Sequence, residues 1–406
     1  MTGSATSRVR LLGARLVLLT LSLAFAGAIA EGLLRWVFHA APLLDVDIYY
    51  LDSQRNLRML PGVRRRHVTR LWDVDITINQ EGFRDRISPI ASPAPPVLAL
   101  GDSFAFGWGV NLEQTYLYLL EQRLNALRPI RVVKAGTPGT GTGDQFHLFQ
   151  EICGAYRPQM VLLSFFVGND FTDVQMGGIN QFDVKDGLMI RRELRPSSWT
   201  QAVREKAVRS SHLLQFLRAV QLDFERRRAA ASLAANPALA AHDPWLFEFS
   251  KVHLRRFPEE TSRGVAETLR YLDRFDDFCR ERGMDFVLMV LPRSIQVNRE
   301  EAAEWQSAFH ISDQDLDLDH PQAVLRTWAQ RRGVRMLDLL PGFRSYHAVH
   351  PEIKLYYYPD AHFSPAGHRL AAEILASYLA KEGLPRLPAA AQETSRHGSG
   401  SPASTF

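Results

Sequence analysis

Five short apolar runs recur along the chain, each bounded by turn residues: "PVLALG" (96–101), "IRVVKAG" (130–136), "MVLLSFFVG" (160–168), "MDFVLMVLP" (284–292) and "GVRMLDLLP" (333–341). They are nearly continuous in apolar residues rather than alternating, the pattern of strands covered on both faces. Between them lie helix-period stretches such as "TYLYLLEQRLNAL" (115–127) and "GVAETLRYLDRFDDFCRERG" (264–283). This alternation predicts a parallel sheet with helices on both faces. The rhythm breaks from about 171 to 260, where the chain turns polar, arginine-rich and then alanine-rich. That interval reads as a helical insertion after the third strand, packed as a cap over the rim of the sheet.

The ends of the chain have other patterns. Arg8, Arg10 and Arg15 precede an uncharged run, "LVLLTLSLAFAGAIA" (16–30), and apolar residues continue to Phe38. Basic residues before an apolar span hold that flank in the cytoplasm, so the chain beyond the span is exported. Residues 1–38 therefore read as a cytoplasmic N-terminus and a single-pass membrane anchor, with the remainder on the far side of the membrane. Ala28-Ile29-Ala30 also suits signal cleavage, which would instead give a secreted product. Residues 39–95 form a lead-in without long periodicity, in which the alternation of "WDVDITI" (72–78) predicts an edge strand. The polar tail 388–406 reads as disordered.

Composition removes several function classes. The 406 residues are 46% hydrophobic and 23% charged, enough apolar material for a proper core. The net charge of +4 gathers partly in Arg64-Arg65-Arg66 and Arg226-Arg227-Arg228. No recognition motif accompanies these groups, so nucleic acid is not a partner. Cys153 and Cys279 lie in no CxxC or Cys/His cluster, so no structural zinc is expected; they read as two separate buried thiols. The 13 histidines contain no H-E-x-x-H pair, so no metal-dependent hydrolase is expected.

The chemistry concentrates just after the strands, where an open α/β sheet places its site. Gly101-Asp102-Ser103 ends the first run, and Ser103 is either a nucleophile or part of a plain turn. "KAGTPGTGTG" (134–143) follows the second run; its glycines suit an anion cradle or a flexible loop, and it matches neither the Walker nor the dinucleotide pattern. "VGND" (167–170) ends the third, with Asn169 as an amide donor or a helix cap. "YYYPDAHFSPAGH" (356–368) places Asp360 two residues before His362, a base with its orienting carboxylate or a surface pair. The tyrosines Tyr356, Tyr357 and Tyr358 read as core packing in preference to a sugar platform.

Taken in order, "GDSFAFGWGV", the glycine loop, "GND" and "DAHFSPAGH" make this chain resemble the SGNH (GDSL-type) hydrolase family over roughly residues 96–380. The lead-in is similar to that of bacterial membrane-anchored members, which implies a single-pass anchor in a bacterial inner membrane with the catalytic domain in the periplasm. The resemblance implies an α/β, flavodoxin-like three-layer αβα fold with a five-stranded parallel sheet. The domain would span 96–387 with its insertion at about 171–260. It also implies Ser103 as nucleophile, His362 as base and Asp360 as its orienting acid. The oxyanion hole would come from the Ser103 and Gly136 N–H groups and the Asn169 amide, with no cofactor and no metal. Asp102 would serve the turn, and His368 would be structural. Two departures stand out. The family pattern D-x-x-H is here D-x-H, which leaves Asp338 as a reserve carboxylate. An expected Asn two residues before the second-block glycine is Lys134.

The leading expectation is a serine esterase or acyl hydrolase acting through an acyl-enzyme on an acylated carbohydrate, envelope polymer or lipid. The alternative is a periplasmic polysaccharide O-acyltransferase using the same triad. The D-x-H spacing resembles alginate O-acetyltransferase-like proteins, in which the pair precedes the serine. A third reading is a catalytically inactive binding module.

Overall fold

The structure, a computed structural model, describes residues 3–37, 46–176 (save 55, 70, 89–93 and 95), 182–191 (save 186), positions 203, 207, 211–217, 220 and 221, and residues 251–383 (save 310 and 359). An N-terminal helix, Gly3–Val37, comes first. Its Gly13–Trp36 stretch is 24 residues long and apolar enough to cross a membrane. At 1.5 Å per residue it spans about 36 Å, more than a hydrocarbon core. Its large side chains, Leu16, Leu18 and Phe25 among them, point outward with no protein to cover them. By length and composition the helix suits an anchor or a signal sequence equally.

The lead-in folds into two hairpins. Strands β1 (Tyr49–Leu51) and β2 (Leu57–Met59) pair antiparallel, as do β3 (Arg64–Val68) and β4 (Asp73–Thr77). β4 is the alternating segment picked out in the sequence. It buries Val74 and Ile76 and forms a separate two-stranded ribbon apart from the main sheet. The arginine triplet lies on β3, where Arg64, Arg65 and Arg66 pair with Asp75, Asp47 and Asp73.

The main sheet joins β5 (Pro96–Gly101), β6 (Arg131–Gly136), β7 (Met160–Phe166), β10 (Asp285–Leu291) and β11 (Arg335–Asp338). A small hairpin, β8 (Phe182–Lys185) with β9 (Leu188–Arg191), intervenes in the chain. The spatial order is β6-β5-β7-β10-β11, every neighbour parallel. The five apolar runs thus form the expected parallel sheet, in the flavodoxin-like order that the family resemblance implies. Successive side chains alternate between two cores. Val97, Ala99, Val132 and Leu162 meet the helices Tyr116–Asn125, Leu340–Val349 and Pro365–Glu382. Leu98, Leu100, Val133 and Leu163 meet Thr142–Tyr156, Glu259–Glu281 and His320–Arg332.

The interval 171–260 opens within a helix, Asp170–Met176, and then forms the hairpin β8–β9. The expected helical insertion thus also carries a β-hairpin that the sequence reading did not include. Phe182 and Met189 project against the glycine loop; a Cβ added at Gly139 would meet Met189 Sδ at 3.0 Å. The Tyr49 N–H donates to Gly187 O at 2.8 Å, tying this hairpin to the lead-in. Farther on, the Glu31 carboxylate accepts hydrogen bonds from Ser211 Oγ and from the N–H groups of His212 and Leu213. The second arginine triplet, the alanine-rich run and the tail lie outside the described residues. Cys153 and Cys279 are both free and buried.

Candidate active site

In this strand order the direction of winding reverses between β5 and β7, and the crevice beyond their carboxyl ends is where such sheets bind ligands. The chain leaves β5 through Gly101, whose φ of +150° is open to glycine alone. A Cβ there would meet Ala105 Cβ at 2.8 Å and Ser164 O at 2.9 Å. Ser103 opens a one-turn helix, Ser103–Phe106, capped by the Asp102 carboxylate, which accepts the Phe104 N–H at 2.9 Å. Gly136 ends β6 directly opposite Gly101. A Cβ on Gly136 would lie 2.4 Å from Phe106 N. The two glycines let the serine turn settle on the sheet.

His362 comes from the loop before the Pro365–Glu382 helix, whose N-cap is Ser364. Its Nε2 lies 2.7 Å from Ser103 Oγ, and its Nδ1 lies 2.5 Å from Asp360 Oδ1. The His362 N–H also donates to Asp360 Oδ1 at 3.3 Å. Ala361, between them, has a φ of +72°. This left-handed residue curls the chain so that a carboxylate two positions away reaches the ring, a local strain of the kind found at functional sites. Two main-chain bonds close the curl: Tyr357 N–H to His362 O at 2.8 Å, and Ala361 N–H to Tyr357 O at 2.7 Å. Burial pushes the Asp360 carboxyl up, but His362 outweighs it by charge and hydrogen bonding, and the net shift is downward.

Asn169 lies just past β7, and its Nδ2 donates to Asp173 Oδ2 at 2.7 Å. The amide also bears on the Asp102 carboxylate. Asn169 thus stands beside the serine turn but is tethered to carboxylates. Burial pushes Asp102 up to about 6, against the opposing Phe104 N–H and the His362 charge. Asp170 rises well above the carboxylate range, first from burial and then from Asp102 and Asp173.

The remaining residues singled out in the sequence take other places. Asp338, the reserve carboxylate, accepts from the Leu340 N–H at 3.0 Å and from Arg326 at 3.1 Å, away from the histidine. His368 is buried, accepts the Tyr116 N–H at 3.2 Å, and is driven down to about 3 by burial. Of the three tyrosines, Tyr356 is core, Tyr357 half-buried and Tyr358 exposed. The D-x-H departure does not separate the two side chains.

Three supports escaped the sequence. Lys134 enters a buried cluster with Asp85, Glu121 and Arg131. Arg84 is buried, and its guanidinium donates to the carbonyls of Phe106, Gly107, Val110 and Asp75 around the serine turn. His67 is buried and accepts the Trp72 Nε1–H at 3.2 Å. Of these, Lys134 showed in the sequence only as a departure from the family pattern, and Arg84 and His67 carried no signal there.

A model of the family described as "SGNH hydrolase-like domain, acetyltransferase AlgX" matches residues 238–404. That span contains Asp360 and His362 and leaves Ser103, Gly136 and Asn169 outside it. No curated protein matches the chain in sequence. Among solved structures the chain is similar to the acetyl xylan esterase AlAXEase, at 15% identity and TM-score 0.38, covering 70% of this chain and 99% of that one. It is similar to TesA at 12% identity and TM-score 0.36, covering 70% and 97%. A catalytic mutant of Axe2, an acetylxylan esterase from Geobacillus stearothermophilus, is similar at 16% identity and TM-score 0.37, covering 70% and 93%.

Proposed function

We propose that the SGNH hydrolase-like domain carried by this chain is a serine-dependent O-acyltransferase that delivers an acyl group to a carbohydrate hydroxyl on the outer side of a membrane. The observation that carries the serine chemistry is the hydrogen-bonded line from Ser103 Oγ through His362 to Asp360, 2.7 and 2.5 Å long. The family description, an acetyltransferase, favours a sugar hydroxyl over water as acceptor. This reverses the order of the two readings drawn from sequence. The apolar N-terminal helix suits export, whether as anchor or signal.

The Ser103–His362–Asp360 line supports the following steps, with the oxyanion donors taken from what the family resemblance implies. Ser103 Oγ attacks the acyl carbonyl of the donor while His362 Nε2 takes the hydroxyl proton. Asp360 keeps the other ring proton on Nδ1 and stabilises the imidazolium. The Ser103 and Gly136 N–H groups receive the oxyanion, with Asn169 as a third donor once one of its amide hydrogens turns from the carboxylates. Collapse expels the donor's leaving group, which takes the proton from His362, and an acyl-enzyme remains. The acceptor hydroxyl then gives its proton to His362, attacks the ester and regenerates Ser103. Each oxyanion donor lost costs about 3–4 kcal/mol of transition-state stabilisation.

The experiment supplies p-nitrophenyl acetate with and without a deacetylated oligosaccharide. Transfer predicts acetylated sugar, by mass, at the expense of free acetate. Acetate release unaffected by any acceptor would favour the esterase reading instead.

A further inference from the structure

The lead-in is more than a linker, because it threads one arginine against the turn that carries Ser103. Arg84 is 1% exposed, and its guanidinium meets four main-chain carbonyls. Nη1 donates to Phe106 O at 3.1 Å and to Gly107 O. Nη2 donates to Val110 O and, at 3.3 Å, to Asp75 O on β4. The Phe106 ring packs on the same group, its centroid 4.7 Å from Cζ. All four acceptors are neutral, so this buried cation is solvated by backbone dipoles alone. Such burial is costly, and it draws Arg84 down to about 9 against the opposing charge of Glu113.

The bonds converge on the main chain of Ser103. Its carbonyl accepts two N–H groups, those of Gly107 and Trp108, each at 3.0 Å. The Gly107 N–H belongs to the peptide unit whose carbonyl is Phe106 O, and the Trp108 N–H to the unit whose carbonyl is Gly107 O. Peptide units are planar and rigid, so both groups that fix Ser103 O are held at their other ends by Arg84 Nη1. Bonds chained through one peptide unit also polarise and strengthen one another. On the other end of the Ser103–Phe104 peptide, the Phe104 N–H donates to Asp102 Oδ1 at 2.9 Å. Gly107 admits the fork closely: its φ is +81°, and a Cβ there would meet Arg84 Nη1 at 3.3 Å. We propose that Arg84 is a positioning residue for acyl transfer, clamping the Phe106–Gly107 and Gly107–Trp108 peptides so that Ser103 Oγ stays 2.7 Å from His362 Nε2. Through Val110 O and Asp75 O the same side chain ties this turn to the β3–β4 ribbon, which makes the lead-in part of the nucleophile's support.

The proposal rests on Ser103 as the nucleophile of the acyl-transfer reading, and the test separates the two. The full-length protein in detergent is labelled with a fluorophosphonate, and the rate is split into a maximal rate and a half-saturating concentration. Arg84→Lys keeps the charge, but one ammonium cannot span both sides of the fork. It should lower the maximal rate on the order of tenfold, a partial displacement of the nucleophile, and leave half-saturation unchanged. Arg84→Gln is shorter and uncharged, and should lose on the order of 100-fold, the cost of a shift of about 1 Å. Leu325→Ala truncates the core on the other face of the sheet; it lowers stability and should label at the wild-type rate. A wild-type maximal rate in either Arg84 variant would overturn the proposal. So would an equal rate loss in Leu325→Ala, since lost stability alone would then suffice. Loss of fold in both Arg84 variants, where Leu325→Ala stays folded, would make Arg84 a purely structural residue and overturn it as well. A wild type that takes no label on Ser103 would overturn the acyl-transfer reading and this proposal with it.

Discussion

Lys134→Met is the most informative stability test, because Lys134 stands where the family resemblance leads to asparagine. Lys134 Nζ donates to Glu121 Oε2 at 2.6 Å, Asp85 Oδ2 at 2.8 Å and Val132 O at 3.3 Å. Arg131 reaches the same two carboxylates, Asp85 at 2.9 Å and Glu121 at 2.8 Å. All four side chains are buried, and two positive charges balance two negative ones. Methionine fills nearly the same volume, so little cavity cost arises. It leaves one uncompensated negative charge in the core, for which breaking a buried pair costs about 3–5 kcal/mol. In a domain of this size that corresponds to a fall in Tm on the order of 5–10 °C. Adding Glu121→Gln restores neutrality and should recover more than half of the loss, a coupling that independent sites would not show. The assay is thermal and urea unfolding, monitored by circular dichroism. A single variant within about 1 kcal/mol of wild type, or a double variant no better than the single, would rule out a charge-balanced cluster.

Two further predictions concern the serine turn. Gly136→Ala places a methyl 2.4 Å from Phe106 N and must push the Ser103 turn off the sheet; a displacement near 1 Å should slow acyl-enzyme formation about 100-fold, read by single-turnover labelling. For pH, Asp102 is raised in the folded state to about 6, against about 3.9 unfolded. The folded chain then binds this proton more tightly, so the group's contribution to stability is full below pH about 4 and is lost as pH rises through about 6. Asp102→Asn keeps the cap acceptor and should flatten the difference in urea midpoint between pH 4.5 and 7.5; an unchanged difference would exclude Asp102 as its source.

The parts that could be read in the sequence are those fixed by short-range rules. The five apolar runs became the five strands because a strand covered on both faces can tolerate few polar residues, and β5 begins and ends where "PVLALG" does. Ser103, Gly136, Asn169 and His362 could be singled out because four short motifs, taken in order, resemble one family, each at a strand end or before a helix cap. What the sequence concealed depends on contacts between distant segments. Arg84 is one charged letter in "EGFRDR" until the fold wraps the serine turn around it. Lys134 looks like a lost hydrogen bond until Asp85 and Glu121 arrive, 49 and 13 residues away. The reach of Asp360 to His362 depends on the backbone of Ala361, and nothing about an alanine advertises a positive φ. The hairpin at 182–191 was hidden by its polar surroundings, and short strands outside a main sheet carry little periodicity.

The proposed chemistry stands or falls on Ser103 being an activated nucleophile served by His362. Fluorophosphonate labelling of the full-length protein, with mass mapping of the adduct, measures that property itself. One adduct is expected, on Ser103, with none in Ser103→Ala and almost none in His362→Ala. A folded wild-type protein that takes no label, or takes it on another residue, would contradict that assignment.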